Sequence, residues 1–284
     1  MRWSDHKASW PNHAHSRFIR TPPHDWHVQH FGTGTKPILF LHGTGASTHS
    51  WAGLIPYFQD DFDIVAVDLP GHGFTALGSK QRSSLTLMGE DIVALCREMS
   101  ITPELIIGHS AGAALALEIS KTLKPRAVFG LNAATKTFAG LASWAFPFAA
   151  KMIALNPFIP SFVAGLGRNE RRVKSLIENT GSKLTSAQLA FYETLFQNQK
   201  HVEGALLMMA QWNLDHLLYR LHEITTPVYF ISAENDKTIS PVVSIETAAV
   251  LPNGTAYVLD HLGHLAHEED PKLVAETILQ VMPI

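Results

Sequence analysis

Ile106-Ile107-Gly108-His109-Ser110-Ala111-Gly112 decides how this chain folds. A short apolar, β-branched run stops at Gly-His-Ser-Ala-Gly, and an Ala- and Leu-rich run of helical character follows. The pattern reads as strand, sharp turn, helix. A serine at such a turn takes a strained backbone conformation that only small neighbours tolerate, here Gly108, Ala111 and Gly112. The strain lifts the hydroxyl clear of the sheet. There an imidazole can reach it from one side, while the Ala111 N–H, at the start of the new helix, can face a developing oxyanion. A plain glycine turn with a surface serine would read alike, so the rest of the chain must supply a base, an acid and a second oxyanion donor.

Upstream, residues 26–31 are strand-like, and Ile38-Leu39-Phe40-Leu41 is apolar throughout, as in a strand buried on both faces. His42-Gly43-Thr44-Gly45 follows, and its glycines let the backbone bend so that the Thr44 N–H faces the same space as Ala111. Residues 47–58 read as a helix and Asp63-Ile64-Val65-Ala66-Val67-Asp68 as another buried strand, entering Leu69-Pro70-Gly71-His72-Gly73. Asp68 is expected to organise that loop rather than act in catalysis. A helix over residues 85–99, a strand ending at Ile107, a helix over 113–123 and a strand over 127–131 complete the first part.

Strands alternating with helices imply a mostly parallel α/β sheet, in which ligands bind outside the carboxyl ends of the strands. Thr44, Ser110 and Ala111 all lie at such ends. The alternation pauses over residues 133–225, which divides the chain into core segments 1–132 and 226–284 around an inserted helical cap. In residues 137–167 the only charge is Lys151, but Pro147, Pro157 and Pro160 interrupt any membrane span. The expectation is an apolar cover over the substrate, with peripheral membrane contact through this cap left open. Residues 203–221 read as one helix carrying Met208, Met209 and Trp212, which suit core packing and also a large flat ligand.

The sheet resumes at Val228-Tyr229-Phe230-Ile231-Ser232 before Ala233-Glu234-Asn235-Asp236, and at Ala256-Tyr257-Val258-Leu259 before His261-Leu262-Gly263-His264. Nucleophile Ser110, acid Asp236 and base His264 then follow in the chain order of one type of serine hydrolase. Glu234 is the rival acid, and His261 and His267 are the rival bases. His109 is expected to shape the pocket at most. A helix over residues 271–281 closes the core.

The composition, 46% hydrophobic with a formal charge of −3, offers no basic excess for nucleic acid. The single cysteine, Cys96, sits on what reads as the buried face of a helix and cannot form an internal disulfide. Six histidines fall in the first 30 residues, without the Cys or acidic partners of a metal site, so neither metal nor cofactor is assigned. Met1 to Lys7 lacks the apolar core of a signal peptide, which points to the cytoplasm. Pro11, Pro22 and Pro23 make the N-terminus an extended arm leading into a strand.

The elbow, the residue order and the sheet pattern resemble the α/β-hydrolase superfamily. A narrower likeness runs through His42-Gly43-Thr44-Gly45-Ala46-Ser47-Thr48-His49-Ser50-Trp51, Asp68-Leu69-Pro70-Gly71-His72-Gly73-Phe74-Thr75, Gly108-His109-Ser110-Ala111-Gly112-Ala113 and Gly263-His264-Leu265-Ala266-His267-Glu268-Glu269. Together with Trp10-Pro11-Asn12 and Asn179-Thr180-Gly181-Ser182, these resemble the magnesium-chelatase accessory hydrolases of bacteriochlorophyll synthesis. The resemblance implies a role around magnesium insertion into protoporphyrin, with a tetrapyrrole and the chelatase subunits as partners. Three functions stay open: a serine hydrolase acting on a bulky apolar compound, a porphyrin carrier with a dispensable triad, and a carbon–carbon bond hydrolase or cofactor-free haloperoxidase. Ser110 argues against a dehalogenase or epoxide hydrolase, which place an aspartate at the nucleophile position.

Overall fold

The computed structural model describes residues 1–32, 34–136, 156 and 158–283. Strands β1 (Ser16–Thr21), β2 (His24–Phe31), β3 (Lys36–Leu41), β4 (Phe62–Val67), β5 (Leu105–His109), β6 (Ala127–Leu131), β7 (Val228–Ala233) and β8 (Gly254–Leu259) form one sheet, in the order β1-β2-β4-β3-β5-β6-β7-β8. The β1–β2 and β2–β4 pairs are antiparallel, and every pair from β4 to β8 is parallel. Parallel strands need crossovers that place helices on both faces, which is why β5 and β6 read as unbroken apolar runs.

Helices α1 (Leu85–Glu98) and α2 (Ala111–Leu123) pack Met88, Ile92, Cys96 and Leu115 with Leu39, Val65 and Ile106 on one face. The other face buries Phe40, Trp51, Phe58 and Phe129 against Val274 and Ile278. Between β6 and β7 lie α3 (Phe158–Leu166), α4 (Glu170–Glu178), α5 (Ser186–Phe196), α6 (Gln199–Gln211) and α7 (Asp215–Tyr219); α8 (Pro241–Val250), α9 (Ala266–Glu269) and α10 (Pro271–Val281) complete the chain.

Three local expectations are corrected. Residues 47–58 form two short 3₁₀ turns, Thr48–Trp51 and Ile55–Tyr57, because Ser47 caps the first and Pro56 lies in the second. The helix expected over 203–221 starts earlier, at Gln199, where the Asn198 side chain caps it, and breaks after Gln211. Trp212 is extended there, and the Asn213 side chain accepts from Asp215 N at 2.7 Å to open α7. The N-terminal arm begins with a helical turn, Trp3–His6, and then inserts Trp10, 2% exposed, among Phe74, His49 and Phe191. Pro160 sits in the first turn of α3, where its missing N–H costs nothing. The stretch Trp144-Ala145-Phe146-Pro147-Phe148, Lys151 and most of the expected apolar cover lie outside the described residues.

Candidate active site

The turn between β5 and α2 is as strained as its sequence implies: Ser110 has φ 52° and ψ −115°. Its backbone is pinned on both sides, its N–H donating to Leu131 O at 2.9 Å and its carbonyl accepting from Ala134 N at 3.1 Å. A Cβ at Gly108 would lie 2.3 Å from Gly112 O, and one at Gly112 would lie 2.0 Å from Leu41 O. The small residues around Ser110 are therefore a requirement of close backbone approach, β5 to α2 and α2 to β3.

Thr44, Ser110 and His264 line one cavity of about 150 Å³, walled by Ala46, Leu176, Ile177, Tyr192, Phe196 and Leu265. Ala111 is the first residue of α2, so its N–H has no acceptor within the helix. His264 donates from Nδ1 to Asp236 Oδ2 at 2.8 Å. Asp236 is buried, and its Oδ1 accepts from Thr238 N and Ile239 N, both at 2.8 Å. No hydrogen bond joins Ser110 to His264 among the described residues; such contacts commonly tighten only when substrate arrives.

The rival groups fall outside this arrangement. Glu234 is on the surface, where its carboxylate accepts from His261 N at 3.4 Å and lies 4.0 Å from the exposed His261 ring. His267 lies buried behind the cavity, where its Nε2–H donates to Ser50 Oγ at 2.8 Å. Ser50 and Tyr192 each donate to Glu268 Oε1 at 2.5 Å. Burial pushes the Glu268 carboxyl up to about 7, against the pull of its Ser50 and Tyr192 hydrogen bonds, and pushes His267 down to about 3. His109 lines the cavity, as its position beside Ser110 suggests, and donates from Nε2 to His264 O at 2.9 Å. Burial holds it well below the ordinary histidine range, so it is neutral.

The loops under the site are fixed by histidines and by Asp68. His42 donates from Nδ1 to Gly43 O at 2.8 Å and accepts Leu69 N at Nε2, at 2.9 Å, which locks the Gly43–Gly45 bend to the Asp68 loop. Asp68 accepts from His27 Nδ1 and Thr48 N at 2.7 Å and from Phe74 N at 2.8 Å. Burial opposes its charge, yet His27, His42 and the Phe74 N–H hold its carboxyl below the usual range. Asp68 thus organises the loop, as its sequence context suggests. His201, from α6, accepts Gly73 N at 3.0 Å and donates to Gly45 O at 3.1 Å, and Met208 of the same helix accepts from Thr44 Oγ1 at 3.4 Å. Two further residues have no role assigned from sequence: Asn132, and Ser182, which lies in the Asn179-Thr180-Gly181-Ser182 stretch that carries the family likeness. Asn132 Nδ2 donates to Asp236 Oδ2 at 2.8 Å, and buried Ser182 accepts from Leu265 N at 2.7 Å.

A parallel sheet carrying a strained serine elbow, with an Asp–His pair delivered by the last two strands, defines an α/β hydrolase. Residues 36–271 match the family model described as alpha/beta hydrolase fold, and the chain belongs to that family. Within it, the chain is 38% identical over 262 residues to the magnesium-chelatase 30 kDa subunit of Rhodobacter capsulatus, with 92% of each chain covered, which places the two in one group. It is also 26% identical over 249 residues to a pimeloyl-[acyl-carrier protein] methyl ester esterase of Stenotrophomonas maltophilia, covering 86% of this chain and 92% of that protein. Among solved structures, the Cif epoxide hydrolase of Acinetobacter nosocomialis superposes with a TM-score of 0.80 over 99% of this chain and 94% of that one. At 16% identity, that likeness is one of fold alone.

Proposed function

We propose that the protein hydrolyses an ester or related acyl bond, with Ser110 as nucleophile, His264 as base and Asp236 as the acid that orients the imidazole. The observation that carries this reading is the 2.8 Å bond from His264 Nδ1 to Asp236 Oδ2, with His264 and Ser110 lining one cavity. With Nδ1 donating, the neutral ring presents Nε2 as an acceptor. Ser110 Oγ attacks the substrate carbonyl as its proton passes to that nitrogen, and Asp236 stabilises the imidazolium. The Thr44 and Ala111 N–H groups receive the oxyanion. The tetrahedral centre collapses as His264 returns the proton to the leaving alcohol. Water then repeats the sequence on the acyl-enzyme and releases the acid.

In this reading the inserted segment is a cap over the core, and its described residues Leu176, Ile177, Tyr192 and Phe196 contribute to the wall. A cavity of about 150 Å³ is smaller than the roughly 300–1,000 Å³ of sites that enclose drug-sized ligands, so a bulky apolar substrate such as a tetrapyrrole would enter by an edge substituent. Similarity to the magnesium-chelatase 30 kDa subunit supports work beside a magnesium chelatase, and the sequence resemblance implies that this work belongs to bacteriochlorophyll synthesis. No helix among the described residues is long and apolar enough to cross a membrane. Phe158 and Phe162, 79% and 67% exposed on one face of α3, support peripheral contact with a membrane surface. The test is pigment synthesis in a strain lacking the protein and supplied with Ser110→Ala: loss of pigment supports chemistry, and full restoration supports carriage.

A further inference from the structure

His264 is held by hydrogen bonds on either side of it, and neither comes from the residues assigned to catalysis. Its predecessor Gly263 donates its N–H to Glu269 Oε1 at 2.8 Å. Its successor Leu265 donates its N–H to Ser182 Oγ at 2.7 Å. Ser182 is 1% exposed and belongs to the turn leaving α4, in the segment inserted between β6 and β7. The other carboxylate oxygen of Glu269 accepts from Lys183 N at 3.0 Å, so one side chain ties the base loop to the same turn.

That turn also grips the acid loop. Thr180 O accepts from Lys237 N at 3.0 Å, beside Asp236. Gly181 has φ +91°, and a Cβ there would lie 1.9 Å from Asn235 O. A Cβ at Gly263 would lie 2.3 Å from the Gly181 carbonyl carbon. Backbone meets backbone with no side chain between, which leaves little room for the turn to shift without moving both loops.

We propose that Ser182 is a positioning residue for His264, so that docking of the inserted segment onto the core sets the base. The inference rests on the assignment of His264 as the base. The hydroxyl fixes where the Leu265 amide lies, and with it the direction in which the preceding imidazole leaves the chain toward Ser110. Its loss frees the base loop on one side while leaving the Asp236 bond chemically intact. A base displaced by a fraction of an ångström transfers its proton less well without altering how substrate binds.

Three variants separate this role from simple support of the fold. Ser182→Ala removes the acceptor, Ser182→Cys preserves the volume while substituting a poor acceptor, and Ser182→Thr retains the hydroxyl. With p-nitrophenyl acetate, kcat should fall roughly ten- to a hundredfold in the Ala and Cys variants with KM little changed, and the Thr variant should recover most of the loss. Proton NMR titration of the His264 ring should show a changed midpoint in the Ala and Cys proteins only. This readout does not need turnover: if the parent protein hydrolyses no ester, the hydrolase reading fails, and the titration still tests Ser182. Ala and Cys variants that remain folded with the parent kcat and the parent His264 titration would overturn the proposal.

Discussion

Asn132 donates its side-chain N–H to Asp236 Oδ2 at 2.8 Å, on the same oxygen that receives His264. Its backbone takes φ 44°, a conformation asparagine tolerates better than most residues, which turns the amide from the end of β6 toward the acid. A hydrogen bond to a charged group contributes about 1.5–3 kcal/mol. Asn132→Ala should therefore destabilise the fold by about that amount and lower kcat on an activated ester. Chemical denaturation and steady-state kinetics check both.

Asp236 and Glu234 leave the same strand, yet only Asp236 reaches the imidazole. Asp236→Asn should reduce turnover by about four orders of magnitude, the scale of the corresponding change in the serine protease triad. Glu234→Gln should change it less than about threefold, since its surface contact with His261 is of the kind that contributes about 0–1 kcal/mol. Side-by-side turnover of the two variants, with circular dichroism to verify folding, decides the acid.

Glu268 gives the protein a pH-dependent element of stability. Burial raises its carboxyl from 4.5 to about 7 in the fold, so the folded state holds a proton that the unfolded chain releases. The protonated group stabilises fully below 4.5, and the contribution drains away as pH rises toward 7. Glu268→Gln keeps an oxygen for Ser50 and Tyr192 but cannot ionise. Across that window the parent should lose stability relative to the variant with a limiting slope of about 1.4 kcal/mol per pH unit. Urea denaturation of both proteins at pH 5, 6, 7 and 8 measures the gap; a constant difference would refute the buried, proton-holding carboxyl.

Two glycines of opposite character give a test of packing. Gly108→Ala drives a methyl to 2.3 Å from a backbone carbonyl in the elbow and should leave little folded protein. Gly165, within α3, has open space around it, and Gly165→Ala should stabilise by up to about 1 kcal/mol through helix propensity. Thermal melts of the two variants distinguish these outcomes.

The fold was legible wherever strands are buried on both faces, because β3, β4, β5, β6 and β7 leave unbroken apolar runs that stop at glycine-rich or polar turns. The pairing of Asp236 with His264 was legible for a related reason: Asp236 follows the buried run of β7 and His264 the short apolar run of β8, a partly exposed edge strand, and parallel strands deliver their carboxyl ends to one edge. What escaped were partners joined across long stretches of chain, Asn132 to Asp236, Ser182 to Leu265 and His201 to Gly45. Asn132 and His201 carry no local pattern, since a buried polar side chain that satisfies one distant group looks in sequence like any other; Ser182 lies in a stretch that resembles the family, but nothing local shows that its hydroxyl meets Leu265. The misread helices have local causes, a proline in a 3₁₀ turn near Ile55 and a turn at Asn213, whose side chain accepts from Asp215 N, before a helix restarts where the periodicity carried through.

An activated Ser110 should be open to covalent capture, which reads the nucleophile without any need for the natural substrate. Purified protein treated with a small fluorophosphonate and read by intact-mass spectrometry should gain one phosphonyl group per chain, mapped by peptide digestion to Ser110. Ser110→Ala should gain none, and Asp236→Asn should react far more slowly. A folded parent protein that stays unmodified, or is modified equally in Ser110→Ala, would mean that Ser110 is not an activated nucleophile.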